Sequence, residues 1–182
     1  MEKQSMTKFA SVYGFFLGLV LILFDVAFWL SGHKISPFQN LNLILIVAGI
    51  IIGIKKYRDG ENKGCLTYGD VLKTGILIAF FASILLAFYT FILLKFLDPG
   101  LIGQILENIE DRLSEKGLTD EQVTATVTMY KSVLTPFIMT IGTIFSITFY
   151  GFIFSLIIAI FMKKEPNPFE EQPTDSEFKS NE

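Results

Sequence analysis

The chain has 182 residues, 51% of them hydrophobic and 18% charged, with a formal net charge of −3. A soluble domain of this size carries about 25% charged residues, so the composition points to a small integral membrane protein with one membrane domain. A single cysteine, Cys65, and a single histidine, His33, exclude an internal disulfide and multi-cysteine or histidine-cluster metal sites, and no basic surface of the nucleic-acid-binding kind is present.

The first eight residues are polar and include Lys3 and Lys8. Residues 9–30 then run apolar, broken by small or hydroxyl residues and by Asp25. A hydrocarbon core of ~30 Å needs roughly 20 helical residues, so this stretch is expected to span the membrane. A secretory signal peptide is the rival reading. The apolar run is too long for one, and FWLSGHK offers no small-x-small cleavage site. After a turn with Gly32 and Pro37, residues 38–54 are expected to form a second, short span, with either its ends extended by Asn40 and Asn42 at the interface or the bilayer thinned locally. A buried or re-entrant helix is the alternative on length.

Residues 55–73 read KKYRDGENKGCLTYGDVLK and hold five of the fifteen Lys and Arg residues: Lys55, Lys56, Arg58, Lys63 and Lys73. A basic cluster that dense beside apolar segments decides which side of a membrane faces the cytoplasm. Within it, Asp59-Gly60 is expected to make a tight turn. Thr67 with Asp70 resembles a capping box that starts a third span over residues 68–96.

The next stretch differs. Asp98-Pro99 reads as a helix start, with Asp98 the cap and Pro99 the first helical residue. Ile102, Ile105, Leu106, Ile109 and Leu113 fall on one helical face, and Glu107, Glu110, Asp111 and Glu115 elsewhere. Gly117 ends that helix. Thr119 and Gln122 form a capping box for a second helix, with Val123, Val127, Tyr130 and Leu134 on its apolar face. Residues 98–133 are therefore expected to be an acidic, amphipathic helical hairpin outside the membrane. A fourth span covers residues 134–162, with the preceding helix running into it through a kink at Pro136. Lys163 and Lys164 close it, and the Pro- and acid-rich residues 165–182 are expected to be disordered.

Four spans put both termini on one side, with Lys8, the basic stretch and Lys163-Lys164, and the positive-inside rule makes that side cytoplasmic. The expected fold is thus an all-α membrane protein: four transmembrane helices in residues 1–164, an extracytoplasmic hairpin between spans three and four, and an acidic cytoplasmic tail. Lipid gives helices no hydrophobic reason to meet, so small residues must pack them. Gly14 and Gly18 of span one are expected to meet Gly49 and Gly53 of span two at similar depth as one contact. Span three carries Gly75, Ala79, Ser83 and Ala87 at four-residue spacing, and span four carries Gly151, Ser155 and Ala159. A homodimer face is the other use of such a motif.

Asp25 is the one acid inside a span, and an intramembrane carboxylate is costly enough to be a functional candidate. It lies about five residues, or ~8 Å, from the outer end of its span. Lys95, Tyr89 and Thr90 of span three and Thr140 of span four approach from the same end. The structural reading is an interhelical hydrogen bond or an Asp25–Lys95 pair that holds the bundle. The functional reading is a carboxylate that couples proton or ion movement. Tyr13 and Trp29 read as interface anchors, the many Phe residues as lipid-facing or packing, His33 as a solvated loop residue and Cys65 as a reduced thiol without a role. The chain has no phosphate-binding glycine loop, no zinc-protease helix motif and no Gly-x-Ser-x-Gly elbow, so no catalytic, cofactor or metal residue is assigned.

KKYRDGENKG, then LTYGDVLKTG opening span three, FLDPGLIGQILENIEDRL, a capped second helix, a Pro before span four and a closing Lys-Lys pair together resemble domain-of-unknown-function family 4199. The resemblance covers about residues 9–164. It implies a small bacterial inner-membrane protein with four spans and carries no activity with it. The expected function is a non-enzymatic accessory or interaction module, embedded in the lipid bilayer. Its hairpin would meet a membrane-protein partner, a second copy or the membrane surface. The alternative is a small transporter or channel that uses Asp25; an intramembrane enzyme has least support.

Overall fold

The computed structural model of the chain describes residues 5–31, 41–62 and 64–163. The turn with His33, Lys63 and the acidic tail lie outside the described residues. Six α-helices follow in order: α1 Met6–Leu30, α2 Leu41–Glu61, α3 Tyr68–Ile92, α4 Leu101–Glu115, α5 Asp120–Val133 and α6 Pro136–Met162. A π-helical turn, Leu93–Leu97, prolongs α3.

Three of these are long and apolar enough to cross a membrane: α1, α3 with its π turn, and α6. At 1.5 Å per residue each exceeds a hydrocarbon core of ~30 Å. Helix α2 is different. Its apolar part ends at Ile54, and its last two turns carry Lys55, Lys56, Arg58, Asp59 and Glu61. The expected tight turn at Asp59-Gly60 is thereby corrected, because Gly60 stays helical and the basic residues ride on a helix end. The reversal falls at Gly64, whose φ of +80° suits glycine and whose N–H bonds the Arg58 carbonyl at 2.9 Å.

Local chemistry sets the other boundaries. The Thr67 hydroxyl accepts from the Asp70 N–H at 3.2 Å and donates to the Asp70 carboxylate at 2.7 Å, which starts α3. Thr119 and Gln122 satisfy each other's backbone in a complete capping box. Gly117, at φ +77°, ends α4, with N–H bonds from Gly117 to Ser114 and from Leu118 to Leu113 that close a Schellman motif. Two expected starts are corrected. Helix α4 begins at Leu101 with Gly100 at its cap; the Asp98 carboxylate accepts from the Trp29 indole instead of capping α4, and its N–H closes the π turn on the Leu93 carbonyl, 2.7 Å. Helix α5 does not run into the last span either. It ends at Val133, and α6 starts afresh at Pro136, capped by the Thr135 hydroxyl. A proline in the first turn lacks only an N–H that has no partner there.

Helix α3 is the hub. It packs along α6 and α1, and α2 touches α1, α3 and α6. Glycines set the closeness of these contacts. A Cβ at Gly14 would lie 2.6 Å from the Phe81 Cβ and 2.7 Å from the Ile78 carbonyl oxygen; one at Gly18 would lie 3.0 Å from the Ala82 carbonyl. Gly14 and Gly18 therefore seat α1 on α3, the two running parallel. Gly49 instead backs onto Leu17 of α1, and Gly53 onto Ile78 of α3. The expected contact between the two glycine pairs is corrected: each glycine receives a larger neighbour, which fills the notch that a second glycine would leave empty. Antiparallel α3 and α6 meet with Gly75 against Ser155, Ala79 against Gly151, and Ser83 Oγ 3.3 Å from Thr148 Oγ1. Ile50 of α2, fully buried, lies over this seam beside Gly75 and Gly151. At the basic end Phe9 stacks on Tyr13, ring centroids 4.3 Å apart, and meets Tyr57 of α2 at 5.0 Å. Tyr13 thus belongs to an aromatic packing cluster as well as to a span end.

Candidate functional site at the hairpin end

Two side-chain hydrogen bonds between elements, Asn42 to Asp25 and Trp29 to Asp98, lie where the hairpin departs. Helices α1 and α2 are antiparallel with Gly49 opposite Leu17, and that register carries Asn42 to the level of Asp25. The Asn42 amide donates to the Asp25 carboxylate at 2.7 Å. Asp25, Asn42 and Tyr89 of α3 are each half-buried. One turn further on, the Trp29 indole N–H donates to the Asp98 carboxylate at 3.2 Å. Asp98 closes the π turn, so this bond ties the end of α1 to the point from which the hairpin leaves.

Other expected members are not brought in. Lys95 makes no ion pair with Asp25; its ammonium lies 5.2 Å from the centre of the Phe91 ring and 5.5 Å from that of Phe96, a cation–π arrangement on an exposed edge. Thr140 and Thr90 donate to carbonyls of their own helices, at Pro136 and Leu86. Lys95, Thr90 and Thr140, expected around Asp25, are thus engaged elsewhere. The structure adds Asn42, which the sequence placed merely at an interface. The carboxylate-amide bond is an interhelical tie of the kind worth ~0.6–2 kcal/mol in a bilayer. Among the described residues no group of three His, Cys, Asp or Glu side chains could hold a metal ion.

The hairpin is built from α4 and α5 packing on each other. Ile102, Ile105, Leu106, Ile109 and Leu113 are all half-buried, whereas Val123 of α5 is buried. Met129, Tyr130 and Val133 stay exposed next to Phe137 at the start of α6. Glu107, Glu110, Asp111 and Glu115 are exposed. Self-packing therefore covers part of the apolar stripe and leaves part open.

Three membrane-length helices define a multi-pass helical membrane protein. The chain belongs to a family described as "Protein of unknown function (DUF4199)", whose pattern matches residues 12–164. No curated protein and no solved structure matches the chain.

Proposed function

We propose that this protein is a non-enzymatic interaction module of a bacterial plasma membrane, which holds the α4–α5 hairpin outside the bilayer for a protein partner. The observation that carries this reading is the hairpin itself. Helix α4 packs on α5 and makes no comparable contact with the spans, and every residue of its apolar stripe keeps part of its surface open. Burying such side chains is worth ~1.5–3 kcal/mol each, so a further surface gains by covering them. The exposed acids beside the stripe disfavour an anionic lipid surface, where basic residues are the rule.

In this reading α2 is a fourth span. Support comes from Ile46, Ile50 and Ile54, buried among the other three long helices. Lys55, Lys56, Arg58 and Lys73 then mark the cytoplasmic side with both termini. Asp25 serves as a tie, which its bond to Asn42 supports. The transporter reading keeps the same carboxylate as a coupling group.

Photocrosslinking from exposed position 108, in the membrane of the native cell, tests the proposal. One discrete protein adduct, lost in Ile105→Asp/Ile109→Asp and in the gentler Glu107→Lys/Glu110→Lys, is expected. An unchanged adduct pattern removes the hairpin's role. A pH-dependent flux in proteoliposomes that Asp25→Asn abolishes would establish the transporter instead.

A further inference from the structure

On the flank of the α1–α3 contact lies a lateral groove of about 470 Å³, walled by Ser11, Val12, Phe15 and Phe16 of α1 and by Phe81 and Ile84 of α3. Gly14 backs directly onto Phe81 there, so the two helices touch at its base. The lining is apolar. The Ser11 hydroxyl, its one polar group, is taken up by the Lys8 carbonyl at 2.9 Å.

The basic end of the groove is charged. Gly14 sits beside Ile78 and Gly18 beside Ala82 on parallel helices. That register, carried six residues back, sets Lys8 within one position of Lys73. Lys8 precedes Val12 and Phe15 by four and seven residues, and Lys73 precedes Ile84 by eleven, so each lysine shares a helix face with a wall of the groove. Both are exposed. The neighbouring acid, Asp70, is engaged by the Thr67 hydroxyl at 2.7 Å.

We propose that this groove seats one acyl chain of an anionic phospholipid, with the lipid phosphate between Lys8 and Lys73. Apolar walls facing the bilayer suit a hydrocarbon chain, and two level cations at one end suit an anionic headgroup. A helix from a second copy, ~10 Å across, would fill this volume with only about one turn, so a slim flexible chain is the better occupant. The proposal is independent of what the hairpin binds.

Native mass spectrometry of the full chain, released from mild detergent, reads the site directly with phosphatidylglycerol and phosphatidylcholine as probes. One phosphatidylglycerol should be retained per chain, in preference to phosphatidylcholine. Lys8→Gln or Lys73→Gln should weaken phosphatidylglycerol about fivefold, and the pair roughly thirtyfold, the scale of a basic residue near an anionic surface. These exposed positions spare the fold. Val12→Trp and Ile84→Trp, checked for folding by thermal melting, should displace the lipid. Equal retention of the two lipids, unaffected by Lys8→Gln/Lys73→Gln, overturns the proposal. So does a dimer that Ile84→Trp dissolves while no lipid is held, which would give the groove to a second copy.

Discussion

The Trp29 indole reaches across 69 positions of sequence to hydrogen-bond the Asp98 carboxylate at 3.2 Å. Asp98 also closes the π turn at the end of α3. One side chain of the first long helix therefore fixes the residue from which the hairpin is launched. A π turn interrupts the regular helical ladder and is a natural pivot, and the Trp29 bond restrains it.

Trp29→Phe should release that restraint while keeping most of the apolar bulk. A hydrogen bond to a charged group contributes ~1.5–3 kcal/mol when buried, and somewhat less in this partly exposed setting. Amide hydrogen exchange of residues 98–104 should accelerate, with α3 and α6 unchanged in their middles. Uniform exchange across variant and parent would show that the π turn is rigid by itself.

The glycines should divide sharply. Gly151→Ala would press a methyl onto the Ala79 Cβ, and overpacking of that kind costs ~1–3 kcal/mol. Gly103→Ala meets nothing within 4 Å and should instead stabilise α4 by up to ~1 kcal/mol. Thermal unfolding in one detergent compares them, and equal shifts would contradict the close α3–α6 seam.

Asp25 and Asn42 should behave as a pair. Asp25→Asn keeps an acceptor for the Asn42 amide and should be nearly silent. Asp25→Leu and Asn42→Leu should each cost ~0.6–2 kcal/mol, and the double variant less than their sum, because both remove the same bond. Strict additivity in detergent unfolding would separate the two residues.

The hairpin can be loosened without touching the spans. Gly117→Ala forces a side chain into a left-handed backbone position at ~1–2 kcal/mol, and Thr119→Ala removes a cap worth ~1 kcal/mol. Exchange should rise through α4 and α5 alone. A matching rise in α3 and α6 would mean that the hairpin and the spans fold as one unit.

Topology has its own check. In a Cys65→Ser background, a membrane-impermeant thiol reagent applied outside whole cells should label a cysteine at 116 and miss one at 62. Labelling at 62 and not at 116 would put the hairpin in the cytoplasm, through an inverted orientation or an α2 that does not cross, and labelling at neither would mean that α3 does not separate the two positions.

Much of this protein was legible in its residues. Long apolar runs have to become helices in lipid, because every backbone polar group must be satisfied within the segment; α1, α3 and α6 follow from that alone. Thr67, Gly117 and the Thr119–Gln122 box act through bonds a few residues long, so their positions could be read directly. What failed at short range failed by competition. Gly60 tolerates a turn and a helix equally, and only the positive φ at Gly64 decides between them. Asp98 is a good cap, but the π turn claims its N–H and Trp29 its carboxylate.

The pairings were decided by tertiary structure. Small residues advertise that a helix packs closely without naming the partner. Gly14 and Gly49 look like mates by depth, yet each accepts a larger side chain from elsewhere, since two facing notches leave a void whereas a notch and a knob make contact. Asp25 advertised that it needs a polar partner. Choosing Asn42 over Lys95 required the rotation of α1 and α2 about their axes, and that rotation is settled by all the packing contacts together rather than by any one stretch of sequence.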